Sequence, residues 1–152
     1  ILEVFSANGA TTFACVRNIS EEFKTFLNEI KKKFNNQVIP IQFDLNDESQ
    51  IKEAASNILS SKSSIDILVN NAATIHTALF QMTSNKKLKE IFETDFFSQA
   101  LFTQYILKSM IKKKSWKHFV YFFKFCIRRK RGKKCLFISK GSNDCPSKSF
   151  IS

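Results

Sequence analysis

Glycine and proline are scarce in this sequence, at three and two among 152 residues. No glycine-spaced phosphate cradle can be written anywhere along it. Acidic residues nearly vanish towards the C-terminus. Residues 1–110 hold 11 Lys+Arg against 12 Asp+Glu, whereas residues 111–152 hold 13 against 1, so the whole formal charge of +11 comes from the last part. A basic charge spread over the entire fold, as in many nucleic-acid-binding domains, is therefore excluded.

Metal-type cysteine pairs are also missing. Cys15, Cys126, Cys135 and Cys145 form no Cys-x-x-Cys and have no histidine cluster near them, which argues against a metal centre. The longest apolar run, "FVYFFKFCI", is too short and too charged at its edges to span a bilayer, and no segment reads as a signal peptide. The expectation is a cytoplasmic protein with no membrane partner.

What is present is an alternation of short apolar strands and amphipathic helices. "ILEVFSANGA" reads as the last turns of a helix closed at Asn8-Gly9 by a residue free to take positive φ. "TTFACV" reads as a buried strand. A helix follows, capped by Asn18 or Ser20, with Ile19, Phe23, Phe26, Leu27, Ile30 and Phe34 along one face. "VIPIQFDL" is the next strand. Asp47 then caps a helix whose inner face is Ile51, Ala54, Ala55, Ile58 and Leu59. "IDILV", apolar apart from Asp66, predicts a strand buried on both faces. A single long helix is predicted over 84–112, with Leu88, Ile91, Phe92, Phe96, Leu101, Phe102, Tyr105, Ile106 and Met110 as its apolar set. Strand-helix alternation with short connections implies an α/β fold with a parallel sheet.

Ligands of such sheets bind beyond the C-terminal strand ends. Three places qualify: Arg17-Asn18, Asp44-Leu45, and Asn70-Asn71-Ala72-Ala73. Small residues at the third let a flat ligand approach the backbone, and the Asn71 amide could pin the strand end or a ribose.

These stretches resemble the short-chain dehydrogenase/reductase family. "NNAA" is similar to its Asn-Asn-Ala-Gly motif, "FDLND" to the Asp-hydrophobic pair that borders the adenine, and "NGATTFACVRN" to its second strand and the turn that reads the cofactor ribose. The resemblance covers residues 1 to about 114 in order and spacing. It implies a Rossmann-like, doubly wound parallel sheet that is incomplete here, with the first, central strand and the Thr-Gly-x-x-x-Gly-x-Gly turn falling before Ile1. A chain without that strand is expected to fold partially or dissolve poorly.

The resemblance further implies a nicotinamide cofactor held by Arg17, Asn18, Asp44, Leu45, Asn71, Ala72 and Ala73. Arg17, a cation where an acidic residue would select NAD(H), favours NADP(H) through the 2′-phosphate. Asp95 stands at the position of the family's catalytic asparagine, in "FETDFFSQALF", and lacks the amide donor. The substrate implied is a small molecule or acyl thioester, most like the 3-oxoacyl-acyl-carrier-protein reductases, and the intact form is expected to be a homo-oligomer.

The family's Tyr-x-x-x-Lys does not occur: Tyr105 is followed four residues later by Ser109, and Tyr121 by Phe125. Residues 115–152 show neither a helical stripe nor a clean strand alternation. Both observations have one explanation in a frameshift at the lysine run 112–114. Read one nucleotide later, permissible codons place a Ser over Phe123, a Tyr over Leu136 and a Lys over Lys140, the family's catalytic intervals. The expected organisation is a partial cofactor-binding domain at 1–114 and an out-of-frame basic tail at 115–152. The competing reading is a non-enzymatic module binding nucleic acid through "KKKSWKH" and "RRKRGKK". It ranks lower, because a shifted frame over lysine- and glycine-coding DNA yields the same basic residues.

Overall fold

A computed structural model describes residues 1–61, 65–113, 118–121, 123–128 and 133–138. The chain divides into two units, Ile1–Lys62 and Ser63–Ser152.

The first unit runs α1 (Leu2–Ala7), β1 (Thr12–Val16), α2 (Glu21–Phe34), β2 (Val38–Gln42) and α3 (Glu48–Ser60). Gly9 closes α1 at φ +81°, a conformation that costs glycine nothing. Ser20, not Asn18, caps α2: its hydroxyl accepts from the Phe23 N–H at 3.1 Å. Asn35 ends that helix in the left-handed region at φ 52°. Asp47 caps α3 by accepting from the N–H groups of Ser49 and Gln50. β1 and β2 pair in parallel, Thr12 opposite Val38 through Val16 opposite Gln42. Their core joins Ala14, Leu27, Ile30 and Val38, with Leu2, Phe23 and Phe34 packed against it. Phe26, expected on the inner face of α2, is exposed, and Leu59 of α3 is only half-buried, whereas Ile51, Ala54, Ala55 and Ile58 are buried as their spacing predicts.

The second unit begins with β3 (Ile67–Asn70), continues through a short 3₁₀ turn (Phe80–Met82), and then enters one helical rod. The rod comprises α4 (Asn85–Phe92), a π-turn (Glu93–Phe97) and α5 (Ser98–Lys113), capped by Ser84. The expected single helix is thus interrupted. A π-turn inserts one residue into the rod, yet the buried positions Ile91, Asp95, Ser98, Phe102, Ile106 and Met110 still follow one another at spacings of three and four. Ile91, Phe102, Ile106 and Met110 are buried, while Phe92 and Phe96 are exposed. β3 also departs from expectation: Ile67 is exposed, and Leu68 and Val69 are half-buried. Among the described residues its only strand partner is β4 (His118–Tyr121), and a two-stranded sheet covers little of either face.

β4 is parallel to β3, and β5 (Phe123–Arg128) and β6 (Lys133–Ile138) form an antiparallel pair. Strands therefore occur in a stretch whose sequence gives no clean alternation. Its β-branched and aromatic residues, such as Val120, Tyr121, Phe125 and Ile127, suit extended backbone even where like charges sit between them.

Candidate functional site

The parallel register of the first unit brings two of the candidate residues together. With Val16 opposite Gln42, and the Phe43 N–H donating to the Val16 carbonyl at 3.1 Å, the residues just after β1 and β2 emerge at the same sheet end. There the Arg17 Nε lies 2.9 Å from Asp44 Oδ2, in a pair whose arginine side chain is 71% exposed and whose aspartate is 26% exposed. The aspartate is held by its own loop. Its Oδ1 accepts from the N–H and the side-chain amide of Asn46 at 2.9 and 3.0 Å, and its N–H donates to Gln50 Oε1 at 3.0 Å. Asn18 beside Arg17 is exposed, and Leu45 is half-buried. What results is an exposed guanidinium held at its Nε, whose Nη groups carry further donors.

The second unit carries the strand-end motif. Asn70, Ala72 and Thr74 are each tied to the rod, by Thr103, Gln99 and Asp95 in turn. The Asn70 side-chain amide donates to Thr103 Oγ1 at 3.0 Å. Gln99 Nε2 donates to the Ala72 carbonyl at 2.9 Å. Asp95 accepts the Thr74 N–H on both carboxylate oxygens, at 2.8 and 3.0 Å, and the Thr74 hydroxyl at 2.8 Å. The spacing follows from geometry. Two residues of extended chain advance about 6.6 Å and four of helix about 6 Å, so steps of two along the strand end match steps of four along the rod. Asn70, Asp95, Gln99 and Thr103 are all buried.

Asp95 lies within the π-turn, where the regular bonding of backbone carbonyls breaks, and its own carbonyl accepts from Gln99 Nε2 at 2.8 Å. Because that nitrogen faces carbonyls, the Gln99 amide orientation is fixed, and its Oε1 has no partner among the described residues. Beyond Thr74 the chain is pinned again: His76 Nε2 and Thr83 Oγ1 are 3.0 Å apart, and Thr83 Oγ1 donates to the Leu79 carbonyl.

The strand-end pin that the sequence offered to Asn71 is made by Asn70. Side chains alternate along a strand, so when Asn70 points inward Asn71 points out, and Asn71 and Ala72 are exposed while Ala73 is half-buried. Asp95, placed by resemblance in a catalytic position, is buried and bonded to Thr74. Sequence reasoning missed Thr74, Gln99 and Thr103. A polar stripe at 95, 99 and 103 through an apolar helix was the available signal. Among the described residues no group of His, Cys, Asp and Glu could hold a metal ion, and no helix is long and apolar enough to cross a membrane.

Comparison with known proteins bears on this arrangement. Residues 1–117 match the family model described as short chain dehydrogenase. Glucose and ribitol dehydrogenase homolog 2 of Arabidopsis thaliana is 33% identical over 91 residues, which cover 60% of this chain and 32% of that protein. Dehydrogenase/reductase SDR family member 7B of Mus musculus is 30% identical over 114 residues, covering 74% of this chain and 35% of that protein. A metagenomic short-chain oxidoreductase, solved in complex with NADP, shares the fold with a TM-score of 0.67 at 19% identity, over 77% of this chain and 51% of that one. The chain thus spans about a third of the length of the curated relatives it matches. With its α/β pattern of parallel strands and Rossmann-like neighbours, the chain belongs to the short-chain dehydrogenase family of nicotinamide-dependent oxidoreductases.

Proposed function

We propose that this chain carries the adenosine-binding and strand-end parts of an NADP(H)-dependent oxidoreductase that moves hydride between nicotinamide C4 and a carbonyl or alcohol. The observation that carries this reading is Arg17, an exposed guanidinium at a parallel strand end, whose Nε lies 2.9 Å from Asp44 Oδ2. Its Nη groups suit the 2′-phosphate of NADP(H). In the first unit Asn18, Asp44 and Leu45 would border the ribose and adenine; in the second, Asn71, Ala72 and Ala73 are small or polar residues at a strand end, suited to close approach of a flat cofactor ring to the backbone. The cofactor, when bound, supplies the hydride chemistry, and the protein supplies orientation.

A 3-oxoacyl thioester is the substrate class we favour. Ile75 and Met82, in the segment after the motif, are 80% and 75% exposed, and Phe80 is also exposed, an apolar surface suited to an acyl chain. We further assign self-association to the helical rod, on which Phe92 and Phe97 are exposed, and a cytoplasmic location.

Binding rather than turnover is the activity expected of these 152 residues, in which no Tyr-x-x-x-Lys occurs. We attribute this to a frame change at the lysine run 112–114, with 1–114 as the cofactor-binding part and 115–152 read out of frame. The family match ends at residue 117, just past that run, which supports the reading. Resequencing the encoding DNA across the run tests it. A single-base difference that restores Tyr-x-x-x-Lys is the expected result, with the full-length protein encoded in the restored frame oxidising NADPH with a 3-oxoacyl thioester. A confirmed frame would overturn the frame change and leave the basic tail to be explained as it stands.

A further inference from the structure

Asp44 does two opposed things to Arg17. By holding Nε at 2.9 Å it orders the guanidinium, and by its charge it offsets the cation that another anion would meet. The aspartate is the fixed member of the pair: its carboxylate accepts twice from Asn46 at 2.9 and 3.0 Å and its backbone N–H donates to Gln50 at 3.0 Å, while the arginine side chain is 71% exposed.

Which effect wins follows from exposure and charge. An exposed ion pair orders a long side chain only weakly, so little is gained by the anchoring. Repulsion scales with both charges, and a phosphate monoester near neutral pH carries about −1.5 to −2. The offset therefore outweighs the anchoring.

Building on the NADP(H) reading above, we propose that Asp44 is a specificity-determining residue: it weakens the preference of Arg17 for a 2′-phosphate and so narrows the margin between phosphorylated and unphosphorylated cofactors. Asp44 in this role restrains the site rather than only bordering the adenine.

The test uses the full chain with two probes, 2′,5′-ADP and 5′-AMP, whose affinities are compared by ligand-observed NMR. In Asp44→Asn, which keeps the shape of the side chain, the ratio of affinities favouring 2′,5′-ADP rises about two- to fivefold, the range set by exposed ion pairs. The rise shrinks with added salt. Asp44→Ser gives the same direction, and unchanged melting midpoints exclude a folding effect. In Arg17→Ala the ratio falls towards one, with or without Asp44→Asn. A ratio that stays level or drops in both Asp44 variants, while the wild type still prefers 2′,5′-ADP through Arg17, overturns this inference and leaves the cofactor reading intact. If neither probe binds, the cofactor reading falls and this inference with it.

Discussion

Asp95 receives three hydrogen bonds from Thr74, two from its N–H and one from its hydroxyl, all between 2.8 and 3.0 Å. A carboxylate is well matched to this task because it only accepts, whereas an asparagine would turn a second donor towards the Thr74 N–H. The residue that resemblance places at the family's catalytic asparagine thus fixes the backbone immediately after the strand-end motif.

Replacing Asp95 by alanine leaves the Thr74 donors without their partner in a half-buried place. Stability falls by about 2 kcal/mol in urea unfolding, and the Thr74 amide exchanges faster with solvent. Asp95→Asn keeps one accepting oxygen and loses about half as much. Equal stability of Asp95→Ala and wild type would remove the anchoring role.

Gln99 bridges the Ala72 and Asp95 carbonyls through one nitrogen. Gln99→Met preserves volume but removes the donor, and costs about 1–2 kcal/mol in the same measurement. Gln99→Glu turns oxygens towards those carbonyls and costs more. The order glutamine, methionine, glutamate in stability is the outcome to check.

Asn70 and Thr103 contact each other directly, so a double-mutant cycle of Asn70→Ala and Thr103→Val yields a coupling of about 1 kcal/mol. Asn71→Ala, at an exposed position one residue on, changes stability by less than about 0.5 kcal/mol. A reversed ranking of the two asparagines would show that the strand end is turned the other way.

Asp47 is held below its ordinary value because the Ser49 hydroxyl, then the Gln50 amide and backbone, donate to it. A depressed folded value contributes stability that is present above the unfolded value of about 3.9 and is lost as pH falls through the folded one. Melting midpoints of the wild type therefore drop on acidification below about pH 4. Asp47→Asn, which does not titrate, shows a smaller drop over the same interval.

Much of this fold is legible in the sequence because periodicity reports burial. The caps Ser20 and Asp47, most of the inner face of α3 and the closing Gly9 follow from local chemistry that tertiary context did not override. The π-turn was not legible: "ETDFF" contains no residue that demands an extra one per turn, and Phe92 and Phe96 are exposed because the buried stripe runs through Ile91, Asp95, Ser98 and Phe102 instead. Arg17 and Asp44 could each be named as strand-end residues. Their ion pair depends on the parallel register of β1 and β2, which no single strand encodes. Gln99 and Thr103 were hidden among apolar neighbours, and only the matching advance of strand and helix gives them partners.

The most direct test of the account is an NMR titration of the full chain with NADP⁺, followed through the backbone amides and the Arg17 Nε–H. The account predicts saturable shifts at Arg17, Asn18, Asp44 and Leu45 that Arg17→Ala greatly weakens. Shifts absent from these residues while the chain is folded, or confined to the basic residues after 111, would contradict it.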